Sequence, residues 1–171
     1  MRTVAAGPAG HQDAVAGVGE RLDGLGAAVG GPGARRHRGA RVAGDRGVDL
    51  GGATSLAGMA AVLDGAAAVV VGNTGPAHLA AAVGTPVVSL FSPVVPAARW
   101  APYGVPTVLL GDQSAPCAGT RARECPVPGH PCLTSVTSRD VVAAVEKVTT
   151  LGSGIPPGGD RSGAVEKLVA P

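Results

Sequence analysis

At 171 residues the chain has room for one hydrophobic core but not for two full domains. Hydrophobic residues make up 45%, mostly Ala and Val, and a formal charge of +2 is too small to point to nucleic acid. No apolar run approaches the length of a membrane span, and the N-terminus lacks the apolar core of a signal peptide. An odd number of cysteines (three) in such a chain indicates reduced thiols and a cytoplasmic protein. Gly 28 and Pro 15 are high enough to expect long loops or partial disorder.

In chain order, "AVAGVGERLDGLGAAV" (14–29) reads as a helix running into a strand, which "GGPG" (30–33) cuts short. "ARRHRGARVAGDRG" (34–47) has almost no apolar residue to bury and reads as a solvated loop; without interleaved aromatics it does not argue for nucleic acid. "TSLAGMAAVLDGA" follows as a helix, with Thr54 or Ser55 as N-cap and Leu56, Met59, Ala60 and Leu63 on one face. "AAVVVG" (67–72) is a short continuous apolar run, expected of a strand covered on both faces. "PAHLAAAVG" is a short helix with Pro76 in its first turn and Gly84 at its stop. "PVVSLF" (86–91) is the next buried strand, and the resulting βαβ unit requires parallel strands.

"VPTVLLG" (105–111) reads as a peripheral strand, because Pro106 cannot donate to a ladder. "TSRDVVAAVEKV" (137–148) is the closing helix, with Thr137 and Asp140 spaced as a capping box. After Thr150, "LGSGIPPGGDRSG" is expected to be an unstructured tail. The expected fold is therefore a Rossmann-like parallel α/β sheet, with a poorly ordered N-terminal third and C-terminal tail.

One polar knot interrupts this apolar chain. Asn73, Thr74 and Gly75 stand between a strand and a helix, where open parallel sheets bind ligands. Free backbone N–H groups and the helix dipole there favour an anion, typically a phosphate. Gly75 would admit a close approach and an unusual dihedral, Thr74 would add a hydroxyl, and Asn73 would cap or hydrogen-bond. His78, four residues after Thr74, shares its face. Ordinary capping around a core histidine fits the same spacing equally well.

"PCAGTRARECPVPGHPCL" (116–133) holds every cysteine. Cys117, Cys125, His130 and Cys132 make four zinc ligands on paper, but no Cys-x-x-Cys pair is present, and a rigid loop with reduced thiols or an opportunistic disulfide is the better reading. Trp100 and Tyr103 are expected to pack their loop onto the core.

Residues 49–104, "DLGGATSLAGMAAVLDGAAAVVVGNTGPAHLAAAVGTPVVSLFSPVVPAARWAPYG", resemble the C-terminal domain of family 9 glycosyltransferases, the ADP-heptose:lipopolysaccharide heptosyltransferase group. The resemblance rests on Asp49 to Leu56, Asn73 to His78, and Gly84-Thr85-Pro86 through Arg99-Trp100, in the family's order. It implies one half of a GT-B fold, binding a nucleoside-diphosphate sugar similar to ADP-heptose. It implies inverting transfer to a cell-surface glycan or glycolipid acceptor, with no cofactor and no metal. By it, Asn73, Thr74, Gly75 and His78 hold the donor diphosphate; Thr54, Ser55 and Arg99 lie on the donor side. The cysteine segment resembles a loop found in many members, with one cysteine missing.

The chain also departs from the pattern. Asn73 replaces the usual Asp, which lessens repulsion of a diphosphate. The strand before "GGPG" is short, the helix after it is replaced by the Arg-rich run, and the family's basic donor-binding residue has no secure counterpart. No part of the sequence resembles the family's acceptor domain, so no carboxylate in it is expected to be the catalytic base. The expected organisation is thus a truncated domain start at 1–48, a donor-binding core at 49–150 and a flexible tail at 151–171. Such a chain is expected to be a fragment, from a truncated or frame-shifted reading of a GC-rich gene. The alternatives are a non-catalytic nucleotide-sugar-binding module and a degenerate remnant. Peripheral membrane association, with no transmembrane segment, completes the expectation.

Overall fold

A computed structural model describes residues 3–7, 27–30, 48–50, 53–152 and 168–169. Seven strands form one sheet: β1 (Thr3–Gly7), β2 (Ala27–Gly30), β3 (Val48–Asp49), β4 (Ala68–Gly72), β5 (Val87–Leu90), β6 (Thr107–Leu110) and β7 (Leu168–Val169). Their order is β3-β2-β1-β4-β5-β6-β7, and every neighbouring pair is parallel.

The valine runs of β4 and β5 follow from this position. Every residue of β4, β5 and β6 is buried, so both faces are mainly apolar and no regular polar alternation survives, with Ser89 in β5 and Thr107 in β6 as buried polar residues. Successive side chains still alternate between two cores. Ala68, Val70, Val88, Leu90, Val108 and Leu110 face one core with Val141, Ala144, Val145 and Val148. Val69, Val71 and Val87 face the other with Leu63, Ala77, Ala80 and Val105.

The described helices are α1 (Leu56–Asp64), α2 (Gly75–Ala82), α3 (Ala97–Trp100), α4 (Pro131–Thr134) and α5 (Ser138–Gly152). Helices α1 and α2 cover the second core; α5 supplies the valine stripe of the first. Ser55 is the N-cap of α1, its Oγ accepting from the Gly58 N–H at 3.1 Å. Leu63 is the one fully buried residue of that helix, and Leu56 lies 71% exposed, so the apolar stripe begins inside the first turn. The buried Thr85 hydroxyl donates to the Leu63 carbonyl at 2.8 Å and ties β5 to the end of α1.

Several expectations need correction. β6 is not peripheral: it pairs with β5 on one side and β7 on the other. Pro106 stands just ahead of the strand, where only its carbonyl is needed, accepting from the Val87 N–H at 2.9 Å. The tail is not wholly unstructured, since α5 runs to Gly152 and Leu168–Val169 add the edge strand. β1 and β3 were not foreseen, being short and without a valine run. The expected strand before "GGPG" is β2, whereas the helix expected over 14–26 and the loop over 34–47 lie outside the described residues.

Trp100 and Tyr103 do not pack inward; they are 52% and 77% exposed, and Val105 takes the core position instead.

Candidate functional site

In a parallel sheet all strand-to-helix turns fall on one edge. Along this sheet the chain builds outward from β1 to β3, then returns to place β4 on the other side of β1. The reversal between β1 and β4 is the topological switch point, the position at which open parallel sheets generally take ligands. Asn73 to His78 leave β4 at that position.

The first turn of α2 is unsealed. Thr74 is its N-cap in extended conformation, but its side chain makes no cap hydrogen bond. The Thr74 N–H donates back to the Gly72 carbonyl at 2.8 Å, and its hydroxyl makes only a long 3.4 Å contact to the same oxygen. Pro76 has no N–H, and the Ala77 N–H donates to the Thr74 carbonyl at 3.0 Å. That leaves the Gly75 N–H as the first-turn donor with no backbone partner among the described residues. No acidic residue occupies this turn, so the dipole's positive end is uncompensated.

Gly75 does not have a positive φ, which corrects the expectation of an unusual dihedral. A Cβ there would meet nothing within 4 Å, so the position opens onto free space. His78 is exposed one turn further on, which removes the core-histidine reading of the spacing. Asn73 is half-buried and structural in this state, its Nδ2 donating to the Ser92 carbonyl at 3.3 Å.

The other expected residues are spread around the same edge. Thr54 is half-buried and Ser55 is spent on capping α1. Helix α1 follows β3, which β2 and β1 separate from β4, although it packs against α2. Arg99 is exposed in the last turn of α3. The cysteine set is not brought together as ligands. Cys117 and Cys132 are buried in the first core, while Cys125 is half-buried with its thiol donating to the Val127 carbonyl at 3.1 Å. His130 is the exposed N-cap of α4. Among the described residues no group of three or more His, Cys, Asp or Glu could hold a metal ion. Burial, together with the neighbouring Cys132, pushes the Cys117 thiol up.

Sequence reasoning missed the scaffolding of this edge. Gly111, at φ 128°, turns the chain out of β6 where a Cβ would sit 2.7 Å from the Phe91 carbonyl. Gln113 Nε2 then donates to that carbonyl at 2.9 Å and to the Gly111 carbonyl at 3.2 Å. Asp112 accepts from the Ser114 hydroxyl at 2.6 Å and its N–H at 2.8 Å, and these bonds hold its carboxyl below the usual range. Beyond it, the Gly119 and Arg121 N–H groups donate to the Pro93 and Val94 carbonyls at 2.9 and 2.8 Å. Only Gly111, a glycine directly after an apolar run, left a signal that could have been read.

Fold and site together define a doubly wound parallel α/β domain with an open helix start at its switch point. The family model for glycosyltransferase family 9 (heptosyltransferase) matches residues 29–130, and the chain belongs to that family. Lipopolysaccharide heptosyltransferase 1 of Pseudomonas aeruginosa is 49% identical over 71 residues, which are 42% of this chain and 19% of that protein. A family 9 glycosyltransferase from Veillonella parvula shares the fold at TM-score 0.59 and 18% identity, over 86% of this chain and 46% of that one. The E. coli ADP-heptose LPS heptosyltransferase II does so at TM-score 0.54 and 18% identity, over 88% and 47%. The chain thus spans under half the length of these solved structures, and its match to the curated relative spans about a fifth of that protein.

Proposed function

We propose that this chain is the nucleotide-sugar-binding half of a GT-B glycosyltransferase. The observation that carries the reading is the unsealed first turn of α2 at the switch point. The Gly75 N–H, the Thr74 hydroxyl and the His78 imidazole hold the donor diphosphate there, and Asn73 fixes the turn without adding negative charge. Thr54, Ser55 and Arg99 flank the donor side. An ADP-heptose-like donor and a lipopolysaccharide or related cell-surface acceptor are favoured by what the E. coli and P. aeruginosa relatives are named for.

In the transfer, an acceptor hydroxyl oxygen attacks the anomeric carbon from the face opposite the diphosphate. The carbon–oxygen bond to the diphosphate breaks, its electron pair leaves with the nucleoside diphosphate, and the configuration inverts. The hydroxyl proton passes to a carboxylate base. That base belongs to the half of the relatives that this chain does not match, so the chain by itself binds donor without transferring sugar. The reaction needs no cofactor beyond the sugar nucleotide. Its setting is the cytoplasmic side of a membrane, reached peripherally; among the described residues no helix is long and apolar enough to cross one.

The test is a pair of assays on the pure chain. An ADP-sugar should raise the melting temperature, and no sugar should reach lipopolysaccharide acceptor. Without general-base assistance alone, rate falls by about 10²–10⁴-fold. Stabilisation without transfer supports the binding-half reading. Clear transfer contradicts the assignment of the base elsewhere, and no stabilisation contradicts the donor site itself.

A further inference from the structure

Large apolar side chains ordinarily take interior positions ahead of small ones, because an aromatic ring removes the most apolar area from water. The loop between β5 and β6 inverts that order. Pro102 and Val105 are buried, whereas Trp100 and Tyr103, the chain's only tryptophan and tyrosine, are 52% and 77% exposed. A loose turn is not the cause. In α3 the Trp100 N–H donates to the Pro96 carbonyl at 3.2 Å, and the Ala101 N–H to the Ala97 carbonyl at 2.9 Å. Buried Pro102 then pins the chain between the two aromatic positions. Pro96, Ala98 and Arg99 are exposed in the same loop.

The charge pattern says what kind of surface this loop fits. Residues 65–111 include no Asp or Glu, and Arg99 is their only Lys or Arg. A second segment is bonded to the start of the loop, the Gly119 and Arg121 N–H groups donating to the Pro93 and Val94 carbonyls. Residues 119–124 carry exposed Arg121 and Arg123 against a single acid, Glu124. Trp, Tyr and Arg are the side chains that settle where hydrocarbon meets lipid headgroups, each being apolar along its body and polar at its tip. An apolar pocket on another protein would also take the rings. Three arginines and the missing acids favour an anionic lipid surface instead.

We propose that the 96–103 loop is a membrane-docking surface, with Trp100 and Tyr103 seated among the headgroups of an anionic bilayer. The proposal rests on the peripheral membrane setting given above, and names the part of the chain that makes the contact. Helices α2 and α3 both follow strand ends on one edge of the sheet, so docking there keeps the donor turn on the same edge as a lipid-borne acceptor.

Because Trp100 is the sole tryptophan, its emission reports on this loop alone. Vesicles of phosphatidylglycerol and phosphatidylethanolamine should move that emission to shorter wavelength, and brominated lipids should quench it. Vesicles of phosphatidylcholine alone should bind at least about 10-fold more weakly, since each arginine near an anionic surface is worth roughly 5-fold. Added salt should weaken the anionic case. Tyr103→Ser and Trp100→Ser, read by vesicle sedimentation, should each cut binding at least about 5-fold, with ADP affinity and melting temperature unchanged. Vesicle binding with the Trp100 emission unmoved would place the membrane contact elsewhere, overturning the proposal while the membrane setting stands. No binding to any vesicle overturns both, and leaves the donor site to its own ADP test. A shift that appears on concentrating the protein without lipid would assign the loop to a second copy of the chain, which also overturns the proposal.

Discussion

Helices α2 and α5 both start where the chain leaves the ligand edge of the sheet, yet their first turns are finished in opposite ways. At α5, Asp140 donates its N–H to the Thr137 hydroxyl oxygen at 3.3 Å, and its carboxylate accepts from the Thr137 N–H at 2.8 Å and hydroxyl at 2.7 Å. The turn is closed on itself and negatively charged. At α2, Thr74 makes no cap bond, the residue three positions on is the buried Ala77, and the Gly75 N–H has no backbone partner among the described residues. Threonine occupies the cap position in both. What differs is the third residue, and an alanine there leaves the first turn without a reciprocal cap. A closed start stabilises the fold; an open one forgoes part of that stability.

Sealing α2 should break the comparison most strongly. Thr74→Asp introduces a good cap with a negative charge, so it should add about 0.5–1 kcal/mol of stability and weaken ADP by roughly 30-fold or more through repulsion. Thermal melts and calorimetry on one preparation read both. A smaller companion effect is expected from His78→Ala. Because the ring is exposed, affinity should fall by roughly 3–10-fold with the melting temperature unchanged. A lower melting temperature with intact affinity would return His78 to a structural role.

Opening α5 should do the reverse. Thr137→Ala should cost about 1 kcal/mol of stability, or about 2–4 °C, and leave ADP binding untouched. The pH dependence follows from the same bonds. The Thr137 hydroxyl, then its N–H, hold the Asp140 carboxyl below its ordinary 3.8. A carboxyl lowered on folding stabilises the protein above its unfolded value and loses that contribution as pH falls through the lowered one. Stability should therefore decline below about pH 4, and Asp140→Asn should flatten that decline. Urea midpoints between pH 2 and pH 6 would show it.

How much of this the sequence contained depended on local signals. The Thr137/Asp140 box, the 68–72 and 87–90 strands and the Pro76 helix start were all legible because each is written in a few adjacent residues. β1, β3 and β7 were not, because short strands are specified by their parallel neighbours rather than by their own composition. At the site, Asn73 to His78 could be read from motif and position. The clamp from Asn73 through Ser92 and Val94 to Arg121 joins residues up to 48 positions apart (121 − 73), and no periodicity announces it. Of the two reasons expected for Gly75, the unusual dihedral is absent, since its φ is not positive, and the fold itself leaves open space where a side chain would project.

The central claim is that the open start of α2 is an anion site, and calorimetric titration of ADP against adenosine on the wild-type chain tests it most directly. The diphosphate should account for most of the binding, so ADP should bind saturably and at least about 30-fold more tightly than adenosine, with inorganic pyrophosphate competing. Equal affinity for ADP and adenosine would contradict it, because the helix start would then contribute nothing to recognition.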